Sequence, residues 1–92
     1  MNKLVLSPHF RKAYKKIVGK IPLLQEQIDS SIKLLEKDIY DVKLKTHKLS
    51  GELSGCYACS CGYDCRIIFT VEEDNNVQTI LLITIGTHDE VY

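Results

Sequence analysis

The run RIIFTVEEDNNVQTILLITI, residues 66–85, decides the fold. Residues 66–72 and 77–85 are rich in β-branched and aromatic types. Between them Glu73-Asp74-Asn75-Asn76 favours a turn and tolerates positive φ, so the stretch predicts a β-hairpin. Ile80 to Ile85, broken only by Thr84, is apolar at both parities, which predicts a central strand covered on both sides. Just upstream, Tyr57 to Asp64 is of mixed polarity and reads as a strand nearer an edge.

Working back to the amino terminus, Lys3 to Leu6 reads as a short strand. Ser7-Pro8 then supplies an N-cap followed by a proline at the first helical position, where its missing N–H costs nothing. Phe10, Ala13, Tyr14 and Ile17 form one apolar stripe, leaving Arg11, Lys12, Lys15 and Lys16 outward. Gly19 and Pro22 mark a break. From Leu24 the positions Ile28, Ile32, Leu35 and Ile39 keep helical spacing, predicting a second, longer helix that ends near Tyr40. Residues 41–55 are polar, Lys-rich and punctuated by Gly51 and Gly55, as in an extended loop. The order strand, helix, helix, three strands predicts one α+β domain over residues 1–92: an N-terminal strand and a two-helix hairpin packed on one face of a mainly antiparallel sheet.

Composition agrees. Ninety-two residues with 45% apolar and 26% charged content describe one globular domain, too short for a Rossmann or barrel enzyme and without room for a large cofactor. No cofactor is expected. The longest apolar run falls far short of the roughly 20 residues of a membrane span, so no membrane partner is expected. The first residues hold too little apolar sequence for a signal peptide, and the expected compartment is the cytoplasm. The formal charge of zero hides a division: residues 1–50 carry eleven Lys/Arg against five Asp/Glu, residues 51–92 one against seven. Such a chain can offer a basic face to a polyanion without being basic overall.

Cys56, Cys59, Cys61 and Cys65 invite a metal reading, because thiolates at this spacing can bind Zn²⁺. Zinc sites usually draw their two pairs from knuckles far apart in sequence, whereas these four fall within ten residues of expected strand. In a straight strand Cys59, Cys61 and Cys65 share one face and Cys56 takes the other. Reduced structural thiols are the expected state, with a Cys₄ metal module or a redox pair as alternatives; a disulfide is disfavoured by the expected compartment.

Three segments carry acid–base and anion-binding groups: residues 43–49 (KLKTHKL), 63–66 (YDCR) and 86–92 (GTHDEVY). The stretches THKLSGELSGCYAC (46–59), YDCRIIF (63–69) and LLITIGTHDEVY (81–92) together resemble the RelE/ParE superfamily of bacterial toxin–antitoxin toxins, within it the RelE and YafQ-like mRNA interferases. The similarity runs over nearly the whole chain. It implies a RelE-like, microbial-ribonuclease-like fold and a type II toxin acting as an endoribonuclease. Such a toxin cuts mRNA on the ribosome without a metal and is silenced by a cognate antitoxin, meeting DNA only through the antitoxin complex. Attack by an internal 2′-hydroxyl needs a base, positive charge for the phosphorane and an acid for the leaving 5′-oxygen, and imidazole suits both proton transfers near neutral pH.

By resemblance His47 is the general base and His88 the general acid. Arg66, the sole Lys/Arg after Lys48, is the phosphate ligand. Asp64 orients a histidine or shares base duty, and the terminal Tyr92 stacks on a base or assists proton transfer. Lys43, Lys45 and Lys48 are expected to hold phosphates, while Arg11, Lys12, Lys15 and Lys16 form a nonspecific surface for ribosomal RNA. Each has a plainer reading from the residues alone. His47 is then a solvated loop histidine, His88 a strand-end residue bonded to Asp89, Arg66 an ion-pair partner of Asp64 or a glutamate, Asp64 a turn residue, Tyr92 a core aromatic and the helical cations a solvated face. Two positions depart from the YafQ-like pattern: Ser60 stands where a further histidine is common, and Cys65 where an aromatic is usual. A ParE-like toxin that binds DNA gyrase without nuclease activity is the alternative on the same scaffold.

Overall fold

Ser7 joins the first strand to the first helix and ties both to the centre of the sheet. In the computed structural model, which describes residues 2–92, strand β1 (Lys3–Leu6) ends at Ser7. The Ser7 hydroxyl oxygen accepts the Phe10 N–H at 3.0 Å, capping helix α1 (Pro8–Lys20), and the same hydroxyl donates to the Ile83 carbonyl at 3.0 Å. A 3₁₀ turn over Pro22–Leu24 leads into helix α2 (Gln25–Lys37). The Tyr14 hydroxyl donates to Asp29 at 2.7 Å and pins the two helices together. Asn2 satisfies the carbonyls of Leu35 and Glu36 at the α2 terminus, where no intrahelical donor remains.

Helix α2 stops at Lys37, short of the expected end near Tyr40. Asp38 turns extended and its carboxylate accepts the Tyr40 N–H; Asp41 repeats the device with Lys43. These side-chain turns outcompete the next helical hydrogen bonds. Ile39 keeps its place in the core, so the apolar spacing runs on past the helix itself. The segment read as a loop over 41–55 contains a two-residue strand β2 (His47–Lys48) and a 3₁₀ turn over Gly51–Leu53. Strands β3 (Tyr57–Ser60), β4 (Cys65–Asp74) and β5 (Val77–Thr87) follow, and the chain closes on a short helix α3 (His88–Val91).

The sheet runs β1-β5-β4-β3-β2, with β1 parallel to β5 and every other pair antiparallel. The expected α+β class, helical hairpin and 66–85 hairpin are all present. The turn is tighter than expected: β4 runs through Asp74 and only Asn75 and Asn76 turn, both at positive φ as a type I′ connection requires. Phe10 and Ile17 from α1, Ile28 and Leu35 from α2, and Ile67, Phe69 and Leu82 from the sheet share one core, so the helices cover one face.

Strand β5 is interior, between β1 and β4, but not covered on both sides. Ile68 pairs with Thr84 and Phe69 with Leu82, leaving Ile83 as an extra residue on β5. That bulge resets the alternation, so Ile80, Leu82 and Ile85 all face the core. The both-sided apolar run therefore records a bulge. Because Ser7 serves the helix cap and the bulge carbonyl at once, Ser7→Ala is expected to lower stability by about 1–2 kcal/mol, to be checked by urea unfolding.

Candidate functional site

Opposite residues in an antiparallel pair share a face, and alternate residues return to it. His47 pairs with Ala58, Ala58 with Ile68, Ser60 with Arg66, and Arg66 with Gly86. His47, Ser60 and Arg66 thus stand together on the face away from the helices, while Cys59 and Ile67 face the core.

Arg66 is half-buried near the carboxyl end of β5. Its guanidinium donates to the Cys65 carbonyl at 2.9 Å and forms no ion pair with Asp64, leaving its remaining donors free to meet a ligand. Asp64 sits just before β4 in left-handed backbone, φ 55°, and its Oδ1 faces the His88 backbone N–H at 3.4 Å. His88 is the first residue of α3 and not a strand end. Its ring lies edge-on to Tyr92 at 4.5 Å between centroids, and Nδ1 is 3.7 Å from the Asp89 carboxylate. Burial pushes the Tyr92 hydroxyl above its ordinary pKa, while nearby Arg66 pulls it back. Asp64, Arg66, His88 and Tyr92 therefore gather at one end of the sheet.

The loop after α2 brings the lysines. Leu44 is buried and its carbonyl accepts the Ser60 N–H at 2.7 Å, so Lys43 and Lys45 emerge beside Ser60, Tyr63, Asp64 and Arg66 around an open cleft of about 460 Å³. His47 follows, exposed, with Nδ1 3.2 Å from the Lys45 carbonyl. By sheet spacing its Cα is roughly 12 Å from that of Arg66, two strands over and two residues along. His88 lies on the far side of Arg66, and no hydrogen bond joins the two imidazoles. Lys48, opposite Tyr57, belongs to the other face and does not line the cleft beside His47, because successive residues of a strand alternate.

The α1 cations do not form one stripe. Arg11 and Lys15 flank Phe10, Tyr14 and Ile32 toward α2, whereas Lys12, Lys16 and Lys20 border a groove toward α3. In that groove Lys20 Nζ lies 3.9 Å from Glu90.

A family model described as the bacterial toxin of type II toxin–antitoxin systems, YafQ, matches residues 2–92. The chain belongs to the YafQ toxin family. The YoeB/ParE toxin from Agrobacterium tumefaciens shares the fold at a TM-score of 0.77 and 19% identity, over 94% of this chain and 98% of that one. YafQ from E. coli strain BL21(DE3) does so at 0.75 and 16% identity, over 100% and 99%. The E. coli DinJ–YafQ toxin–antitoxin complex matches at 0.72 and 17% identity, over 99% and 97%. No curated protein sequence matches the chain.

This YafQ-family toxin departs from its expected cysteine chemistry. Cys61 and Cys65 are joined in a disulfide, where four reduced thiols were expected. The expected strand stops at Ser60, and residues 61–65 fold back so that the Cys61 N–H reaches the Cys65 carbonyl at 3.0 Å, which brings the two Cα atoms to 5.0 Å. The Cys₄ metal alternative loses Cys61 and Cys65 to this bond, and no cluster of three or more His, Cys, Asp or Glu suited to a metal occurs among the described residues. Cys56 is half-buried and Cys59 fully buried. Burial drives the Cys59 thiol up to about 12, against smaller opposing effects of the Ile67 backbone and Arg66.

Helix α3 was not expected, although Thr87-x-x-Glu90 is a capping-box signature. Glu90 Oε1 accepts the Thr87 N–H at 2.9 Å, and that bond, aided by Lys20 and Lys16, holds its carboxyl below the ordinary glutamate range. Opposite Arg66, Gly86 has no side chain; a Cβ there would come within 3.1 Å of Glu90 and 3.2 Å of Val91. A side chain there would crowd Glu90 and Val91, so the bare backbone suits the close return of α3, which carries His88 and Tyr92. No helix is long and apolar enough to cross a membrane.

The burial of Cys59 and the Glu90–Thr87 hydrogen bond each have a measurable outcome. At pH 8 iodoacetamide should label Cys56 in the native protein and leave Cys59 unmodified, as read by peptide mass spectrometry, because the Cys59 thiolate forms only near pH 12. A lowered carboxyl pKa contributes stability above the unfolded-state value and loses it as pH falls through the folded value. The stability deficit of Glu90→Gln, measured by urea unfolding, should therefore be present at neutral pH and vanish in acid.

Proposed function

We propose that this YafQ-family toxin is a ribosome-dependent endoribonuclease that cuts mRNA by 2′-hydroxyl attack. The observation that carries the reading is the gathering of Arg66 with Asp64, His88 and Tyr92 at one end of the sheet, with Lys43 and Lys45 lining the cleft beside Asp64 and Arg66. In the reaction the 2′-oxygen bonds to phosphorus as its proton passes to a base. The bond to the 5′-oxygen breaks as that oxygen takes a proton from an acid, leaving a 2′,3′-cyclic phosphate and a 5′-hydroxyl. Arg66 faces the non-bridging oxygens and stabilises the added negative charge. His88, exposed on α3 and steadied by Tyr92, is the acid. The first proton passes to one of two bases: Asp64, adjoining Arg66, or His47, on the β2 side.

Lys43 and Lys45 hold flanking phosphates, and the α1 cations meet ribosomal RNA. A cognate antitoxin covers these groups, by analogy with the E. coli complex of YafQ with DinJ and the Staphylococcus aureus complex of YoeB with YefM. The toxin meets DNA only through that antitoxin, and the cytoplasm is its place of action.

The test is message cleavage on translating ribosomes. His88→Ala should lower the rate by about 10²–10⁴-fold, and Arg66→Ala by on the order of 10²–10³-fold. A message with a single 2′-deoxynucleotide at the cut site should survive there. Comparing His47→Ala with Asp64→Asn identifies the base as the one whose loss abolishes the acidic limb of the pH–rate profile. Intact message beside accumulating DNA–gyrase complexes would replace this reading with the ParE-like one.

A further inference from the structure

Tyr63 is 95% exposed, and no other tyrosine is so bare. Tyr14 is bonded to Asp29, Tyr57 stacks on Phe69 at 5.6 Å, Tyr40 faces Tyr57 and Tyr92 meets His88. Tyr63 touches no aromatic partner and gives nothing to the core, yet its loop is held on every side. The Cys61–Cys65 disulfide closes the loop at its base with both cysteines buried, and the Cys61 N–H bonds the Cys65 carbonyl. Gly62, at φ 121°, is pressed so close to α2 that a Cβ would run into the Gln27 side chain, and it packs beside Leu24. Asp64 leaves the loop in left-handed backbone. The ring projects from the apex into solvent, and it stands on the wall of the cleft that holds Lys43, Lys45 and Arg66.

A rigid exposed aromatic beside cations that track phosphates is the arrangement by which proteins grip single-stranded nucleic acid, the phosphates on the charges and a base on the ring. We propose that Tyr63, held out by the tight 61–65 loop that the Cys61 N–H to Cys65 carbonyl hydrogen bond and the left-handed Asp64 shape, is a nucleobase-stacking platform for the RNA nucleotide flanking the phosphate at Arg66. This rests on the ribonuclease reading above. A tyrosine has only two side-chain torsions to order on binding, and stacking tolerates any base, so the platform contributes affinity and alignment more than sequence choice.

The test uses the full chain and a fluorescein-labelled single-stranded hexaribonucleotide made uncleavable by 2′-O-methyl groups, with binding read by anisotropy. Tyr63→Ala should weaken binding by roughly ten-fold or more, while Tyr63→Phe, which keeps the ring, stays within about two-fold of wild type. The sequence has no tryptophan. The indole introduced by Tyr63→Trp is therefore the sole one, and its emission should be quenched as unlabelled oligonucleotide saturates. Because Tyr63 contributes nothing to the core, unchanged urea midpoints separate the effect from misfolding. Wild-type affinity in Tyr63→Ala, or unchanged indole emission at saturation, would overturn the platform. Weakened antitoxin binding with unaltered RNA affinity would overturn it too, in favour of a protein contact. Cleavage on programmed ribosomes keeps the two readings apart. An inactive wild type sinks the ribonuclease assignment, whereas an active wild type with an indistinguishable Tyr63→Ala sinks only the platform.

Discussion

The extra residue at Ile83 is the constraint on which the rest of this structure depends. A strand alternates strictly between its two faces, and one inserted residue exchanges them for everything that follows. Past the bulge Ile85 faces the core and Gly86 stands opposite Arg66. Without it Ile85 would face outward, and α3 would lose the bare backbone on which Glu90 and Val91 rest. The bulge carbonyl is not left unpaired, since Ser7, already capping α1, donates to it. The same hydrogen-bonding side chain thus links the start of the first helix to the bulge in the last strand.

The consequence is a division of labour between the two faces. The covered face supplies cohesion through Phe10, Ile28, Leu35, Phe69 and Leu82, all essentially inaccessible to water. The β5 carboxyl end of the sheet collects residues from both oppositely charged halves of the chain. Lys43 and Lys45 come from the basic first half by way of the turns at Asp38 and Asp41; Asp64, Arg66, His88 and Tyr92 come from the acidic second half. The formal neutrality of the chain conceals a positive cleft. Its side chains are mounted on loops and strand ends, so they can differ among relatives while the sheet stays the same.

The elements legible in the sequence are those driven by apolar periodicity and turn chemistry. The hairpin of residues 66–85, the cap at Ser7 and both long helices declare themselves that way. Helix α2 reads too long because the spacing of its core positions, carried by Leu35 and Ile39, continues through a turn that side-chain hydrogen bonds from Asp38 create. Strand β2 is invisible because two exposed polar residues carry no pattern; its partner β3 alone defines it. Of the candidate site, Arg66 and Asp64 are readable, but the return of His88 and Tyr92 depends on α3, whose capping box is in plain view. The Cys61–Cys65 pairing is hidden because strand parity says which face a cysteine takes and nothing about a chain that stops being a strand at Ser60.

The central claim is that nucleic acid is held at the Arg66 end of the open sheet face. Amide chemical-shift mapping of the ¹⁵N-labelled protein with an uncleavable single-stranded oligoribonucleotide tests it most directly. The account predicts the largest perturbations at Lys45, Asp64, Arg66, Gly86 and His88, with the buried helix positions Ile28 and Leu35 unmoved. Perturbations confined to α1 and α2, with Arg66 and His88 silent at saturation, would contradict it.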